Sequence, residues 1–307
     1  VFKDISAYRG KTLTITFDGP EDALMQVYQS DSIRDAASIY RERNRPQFHF
    51  TTRRGWINDP NGCIWHNGQY HLYYQHNPFE REWENMTWGH ATSHDLINWQ
   101  EQAVAIPMLD KQAEMDFTFK NTTGQFAKDG KNGQVRYLGQ PRTDWNGGNG
   151  KKYIFSGSTG LDKENKSGLG KNTLLAYYTS CFQMPTRWDD GGEGGMGSWF
   201  GMSEVQEQHL AYSTDGGQTF KQFDGAKSVA DNMVGLANQK SPKAIIPVTA
   251  ISGLPGIDAK DFRDPKVVYD QAHGQWLMVV VAGQQALIFK SENLIDWTYT
   301  SAIQRQH

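Results

Sequence analysis

The chain has 307 residues, with 31 Lys plus Arg against 34 Asp plus Glu and a formal charge of −3. That balance implies no basic face of the kind nucleic acid or an anionic membrane requires, and no apolar run approaches the roughly 18 residues of a membrane-spanning helix. Two cysteines, Cys63 and Cys181, are too few for a disulfide scaffold and read as free, buried thiols.

The first elements are short. Leu13, Ile15 and Phe17 alternate with Thr12, Thr14 and Thr16, the pattern of a half-buried strand. Residues 23–28 suggest a second strand and 33–43 a short helix. Residues 1–44 therefore read as a short N-terminal β element. Beyond it helical periodicity is scarce. The 31 Gly and 10 Trp imply short strands, tight turns and packed rings, and rings also suit the apolar faces of sugars.

A degenerate repeat sets the fold expectation. Ser93-His94-Asp95-Leu96-Ile97-Asn98-Trp99 resembles Ser291-Glu292-Asn293-Leu294-Ile295-Asp296-Trp297, and Ser213 to Phe220 is a looser copy. Upstream of the first two copies lies a second shared element. Asn58-Asp59-Pro60 and Arg263-Asp264-Pro265 are each followed by a strand, a turn and Gly-Gln-Tyr or Gly-Gln-Trp. Short strands repeating at about 40 residues describe the blade of a β-propeller. The spacing gives about three blades, with polar, Gly-rich insertions at 110–152 and 183–201. Because equivalent blade positions face one axis, Asp59 and Asp264 are expected to meet at one end of it. Converging carboxylates are what a glycosidase uses, one to attack and others to hold the sugar.

Five motifs carry a family resemblance. Trp56-Ile57-Asn58-Asp59-Pro60-Asn61-Gly62, Tyr74-Gln75-His76-Asn77-Pro78, Trp88-Gly89-His90, Phe155-Ser156-Gly157-Ser158 and Phe262-Arg263-Asp264-Pro265 resemble, in order, the signatures of glycoside hydrolase family 32, which holds invertases, inulinases and levanases. The resemblance implies an all-β, five-bladed propeller over 45–307, incomplete in this chain, with further blades and a C-terminal β-sandwich beyond it. It implies retaining cleavage of β-fructofuranosyl bonds in sucrose or fructans such as levan and inulin. Asp59 would be the nucleophile and Asp264 the transition-state stabiliser. Asn58, Gln75, Trp83, Phe155, Ser156 and Arg263 would line the fructose subsite, and Trp88 would support Trp83. No metal or organic cofactor is implied, and the compartment implied is extracellular or periplasmic.

The family's general acid is a Glu followed by Cys after the Arg-Asp-Pro motif, and no Glu-Cys pair occurs here. The expectation is a piece of a longer protein, or one half of an enzyme completed by a second polypeptide. Two other readings stand beside it: a related propeller glycosidase acting on arabinosides or xylosides, which the Trp-Ile-Asn-Asp-Pro-Asn-Gly wording disfavours, and a fructan-binding propeller without turnover. Gly192 to Gly197 fits a dinucleotide motif only as letters, since no apolar helix follows it. His90 and His94 lack the helix that would make them a zinc pair.

Overall fold

The computed structural model describes residues 5–14, 27, 29–32, 35–107, 151–188, 199–223, 244–246, 248–251, 254–255, 257 and 261–304. Two compact units divide between Arg54 and Gly55. In the first, Ser6–Tyr8 forms a short 3-10 turn. The helix expected over 33–43 is instead a run of turns from 35, with bonds from Ser38 N–H to Asp35 O and from Arg41 N–H to Ser38 O. Asp35 and Tyr40 hold φ of 60° and 66°, the left-handed region that stops a helix. Arg45 secures this stretch, pairing with Glu42 and donating to the Thr52 and Arg53 carbonyls. Residues 11–14 carry no strand, and the rest of the expected strand at 11–17, like nearly all of 23–28, lies outside the described residues.

Among the described residues, the second unit shows twelve strands in three antiparallel sheets of four, each following chain order. Sheet 1 comprises β1 (Trp56–His66), β2 (Gln69–Asn77), β3 (Thr87–Ser93) and β4 (Trp99–Glu101). Sheet 2 comprises β5 (Lys151–Asp162), β6 (Thr173–Trp188), β7 (Trp199–Ser213) and β8 (Lys221–Gln222). Sheet 3 comprises β9 (Phe262–Asp270), β10 (Gln275–Ala282), β11 (Gln285–Ser291) and β12 (Thr298–Gln304). Local chemistry sets the turns. Asn67 and Gly68 take φ of 49° and 78° between β1 and β2, the pair of left-handed residues that a tight hairpin needs.

The repeated serines mark one place in every sheet, the end of the third strand. Ser93, Ser213 and Ser291 close β3, β7 and β11, and each hydroxyl bonds the Asp or Asn two residues on. That side chain then accepts backbone N–H groups around the turn: Asp95 from Ile97 and Asn98, Asp215 from Gln218 and Thr219, Asn293 from Ile295 and Asp296. Side chain-to-backbone bonds of this kind are why Ser, Asp and Asn punctuate the sequence there.

Sheet 2 lies between the other two and is covered on both faces. Leu174, Ala176 and Tyr178 of β6 join Tyr73, Trp88 and Ile154 in one apolar cluster. Leu175 and Tyr177 join Phe262, Met278, Val280, Leu287 and Phe289 in another. Alternate residues of one strand thus serve two cores, which explains the unbroken apolar and aromatic run in β6. Matching hydroxyls link the sheets. Tyr73 of β2 donates to the Gly217 carbonyl in the turn after β7, and Tyr177 of β6 donates to the Leu294 carbonyl in the turn after β11.

Two further expectations are corrected. Cys181 is buried, but Cys63 is exposed, because β1 alternates and Cys63 shares its outward face with Trp65 while Ile64 packs inward. The segment 183–201 is not wholly a loop: residues 183–188 and 199–201 continue β6 and β7, paired out to Trp188 opposite Trp199. Among the described residues the β5 pairing of β6 ends at Gln183, so Pro185 breaks no ladder bond on that side. Most of the 110–152 insertion lies outside the described residues; residues 151–152 open β5.

Candidate active site

The innermost strand of each sheet carries the same irregularity. In β1, Asn58 and Asp59 stand against one partner, Gln75; in β5, Phe155 and Ser156 stand against Thr179; in β9, Asp264 and Pro265 stand against Val280. Two residues opposite one is a β-bulge, which bends a strand and re-aims its side chains. The three bulges turn Asp59, Ser156 and Asp264 to a cavity of about 390 Å³, large enough for one monosaccharide unit. Gly157 makes the β5 bulge possible, since a Cβ there would stand 1.9 Å from the Tyr177 carbonyl oxygen.

All eight residues expected at the site line this cavity: Asn58, Asp59, Gln75, Trp83, Phe155, Ser156, Arg263 and Asp264. Trp83 and Phe155 form an apolar wall, their rings 5.8 Å apart and edge to face. Trp88 does not touch the cavity. It is fully buried and donates through Nε1 to the Phe155 carbonyl, so it supports the wall through Phe155 rather than by stacking on Trp83. Asn58 is held by Trp56, whose Nε1 donates to Asn58 Oδ1 at 2.7 Å. Gln75 donates to the Ile154 carbonyl at 3.0 Å, tying β2 to β5.

The carboxylates have different surroundings. Asp59 Oδ2 accepts the Ser156 hydroxyl at 2.7 Å. Asp264 holds φ of 63°, the left-handed region unusual for a residue other than glycine. Its backbone N–H donates to Thr179 Oγ1 at 3.0 Å. Thr179 donates in turn to Gln208 Oε1 at 2.8 Å, and Gln208 Nε2 donates to the Phe262 carbonyl at 2.8 Å. Ser158 adds a clamp, donating to the Pro265 carbonyl and accepting the Val267 N–H. Arg263 Nε lies 3.8 Å from Asp264 Oδ2, and its Nη1 pairs with Asp261. Partial desolvation by the cavity walls pushes the Asp264 carboxyl above the ordinary range although its side chain stays about half exposed; Arg263 opposes that shift, and the nearby Asp59 adds to it. Both carboxylates line the one cavity, close enough for the charge of Asp59 to act on Asp264.

Two lining residues, Gln206 and Asp261, escaped the sequence reading. Asp261 had a signal, since it stands two residues before Arg263 as an ion-pair partner. Gln206 lies in β7 opposite Cys181 and belongs to no motif. Among the described residues no group of three or more His, Cys, Asp or Glu is arranged to hold a metal ion.

A polar cavity with paired carboxylates on bulged strands of an all-β scaffold is the arrangement expected of a carbohydrate-cleaving site. Residues 49–307 match the glycosyl hydrolases family 32 N-terminal domain, and the chain belongs to that family. It is 34% identical over 272 residues to a levanase of Bacillus subtilis (strain 168), covering 87% of this chain and 28% of the levanase. It is 32% identical over 267 residues to an extracellular exo-inulinase of Aspergillus niger, covering 85% of this chain and 38% of that protein. The crystal structure of exo-inulinase from Aspergillus awamori aligns with a TM-score of 0.56 at 29% identity, covering 85% of this chain and 40% of that one. A Schwanniomyces occidentalis fructofuranosidase complexed with fructosylnystose aligns with a TM-score of 0.54 at 28% identity, covering 87% of this chain and 37% of that one. The chain thus spans well under half the length of these relatives.

Proposed function

We propose that the protein carrying this chain is a retaining glycoside hydrolase that cleaves β-fructofuranosyl bonds of fructans or sucrose. The observation that carries this reading is the placement of Asp59 and Asp264 in equivalent bulges of β1 and β9, lining one cavity with the Trp83–Phe155 wall. The three sheets act as three blades of a five-bladed propeller. The free Asp59 oxygen attacks the fructose anomeric carbon as the glycosidic C–O bond breaks, giving a fructosyl ester. Water then cleaves that ester, so two inversions return the original configuration. No residue of this chain is assigned as the acid that protonates the leaving oxygen. Asp264, with Arg263 beside it, grips ring hydroxyls more tightly in the transition state than in the ground state. Asn58 and Gln75 bind further hydroxyls, and the apolar wall takes a sugar face. These steps call on no metal or organic cofactor.

The β6–β7 hairpin continues seven residue pairs beyond the cavity-lining Gln206, roughly 23 Å at 3.3 Å per residue. On this reading it flanks the mouth and bears on which fructan enters. The extracellular relative supports export.

The test is fructose release by the full-length protein from sucrose, inulin and levan, run beside arabinosides and xylosides. Release from fructosides alone, with β-fructofuranose as the first anomer seen by NMR, is the expected result. Saturable fructan binding without turnover replaces the hydrolase with a binding propeller, and turnover of arabinosides alone replaces its substrate class.

A further inference from the structure

Asn61 stands two residues past Asp59 in β1 and is only 4% exposed. Its amide lies among groups that distinguish its two ends. The side-chain oxygen faces three N–H groups: the Gln75 backbone N–H at 3.2 Å, the second hydrogen of Gln75 Nε2 at 3.0 Å, and Trp88 Nε1 at 3.0 Å, whose one hydrogen is shared with the Phe155 carbonyl. The nitrogen faces Ser156 Oγ at 3.2 Å. The reverse orientation would set an NH₂ group against three N–H donors, leaving buried groups unpaired. The surroundings therefore fix which way the amide points.

That direction passes to the next group. A serine hydroxyl has one hydrogen to give. With the Asn61 N–H directed at its oxygen, Ser156 gives that hydrogen to Asp59 Oδ2, 2.7 Å away. We propose that Asn61 is a positioning residue that orients a hydrogen-bond chain from Asn61 through Ser156 to Asp59, holding one carboxylate oxygen and leaving the other as the attacking atom. This rests on the reading of Asp59 as nucleophile. It also gives a reason for Ser156 at the β5 bulge, where β1 and β9 carry carboxylates: a hydroxyl can donate to the neighbouring carboxylate, and an ionised third carboxylate would repel it.

The test uses the full-length protein and the pH dependence of kcat/KM. In Asn61→Asp the side chain accepts from Ser156, the hydroxyl turns away from Asp59, and the nucleophile is harder to keep ionised. The acidic limb is expected to move up by about one pH unit, the scale of one hydrogen bond to an ionised carboxylate. Ser156→Ala removes the same bond and should give a similar shift. In the double variant the shifts should not add, because both act through one hydroxyl. A fully additive second shift would mean that Asp at 61 acts by its own charge, and would overturn the proposal. So would an Asn61→Asp variant whose melting temperature falls while its acidic limb stays fixed. Should that variant fail to fold, an unmoved limb in Ser156→Ala alone overturns the chain. Titration of the Asp59 carboxyl by 13C NMR reads the same shifts without turnover, so an inactive parent protein would sink the catalytic reading and leave this one measurable.

Discussion

β1 and β9 carry one motif, an Asp-Pro step whose Asp is lifted out of the ladder by a bulge, yet they hold the carboxylate by different means. In β1 the hold is on the side chain: Ser156 reaches across from β5 to one Asp59 oxygen. In β9 the hold is on the backbone: Asp264 has φ of 63°, its N–H is tied to Thr179, and Arg263 stands beside it. A left-handed non-glycine residue costs on the order of 1 kcal/mol or more and persists only where its surroundings over-determine it. The repeat decides where each carboxylate stands, and the neighbouring sheet decides what it can do. An attacking group needs one oxygen free, whereas a group that grips hydroxyls needs a rigid seat.

The largest effect that tests this contrast is at Asp59. Asp59→Ala or Asp59→Asn in the full-length protein should lower kcat by on the order of 10⁴-fold or more, as loss of a nucleophile does; steady-state assay on sucrose or inulin reads it. Asp264→Asn should cost about 10²–10³-fold in kcat with the fold intact, the scale of one lost transition-state contact. Equal, small losses at both positions would break the contrast. Thr179→Val should destabilise by about 3 kcal/mol in urea unfolding, since the Asp264 N–H and Gln208 Oε1 both lose a buried partner. Ser156→Ala should cost about 1–2 kcal/mol of stability, less than Thr179→Val, since Asp59 is exposed and only the Asn61 amide loses a buried partner.

A smaller effect separates what lies behind the two strands. Behind β1, His71 and His90 stack inside sheet 1, with Nδ1 and Nε2 3.0 Å apart; behind β9 the packing is apolar. Burial, with His71 adding to it, lowers His90 from 6.5 to about 3. The unfolded chain therefore takes up a proton below about pH 6.5 that the folded chain refuses until about pH 3. Stability is full above that window and falls through it, by about 2 kcal/mol at pH 5 for His90 alone. Urea unfolding at pH 7 and pH 5 measures the loss. Amide exchange should show β1–β4 opening before β9–β12, and a uniform loss of protection would count against it.

The parts legible in sequence were those that repeat or that belong to a motif. Ser93, Ser213 and Ser291 could be aligned because one turn, built from one set of side chain-to-backbone bonds, recurs in each sheet. Asp59 and Asp264 could be paired for the same reason. Thr179 and Gln206 could not, because each sits in the middle of a long strand, Thr179 reaching Asp264 and Gln206 lining the cavity, and nothing local marks it. The β6–β7 extension was hidden by composition: glycines at 191–197 give 183–201 the look of a loop, while the flanking residues form a regular ladder. The helix suggested over 33–43 followed local preference, which short segments readily override.

The two tyrosine hydroxyls have a consequence for how such a molecule is put together. Tyr73 gives its hydrogen to the turn after β7, and Tyr177 gives its own to the turn after β11. Sheets 1 and 2 each offer a donor to the next sheet, which receives it at its serine turn. The links are head-to-tail, like couplings on a train, so the array has a direction: a sheet added at one end meets a different surface from a sheet added at the other. Neighbours in such an array cannot be exchanged end for end, and the order of the sheets in space is bound to their order in the chain.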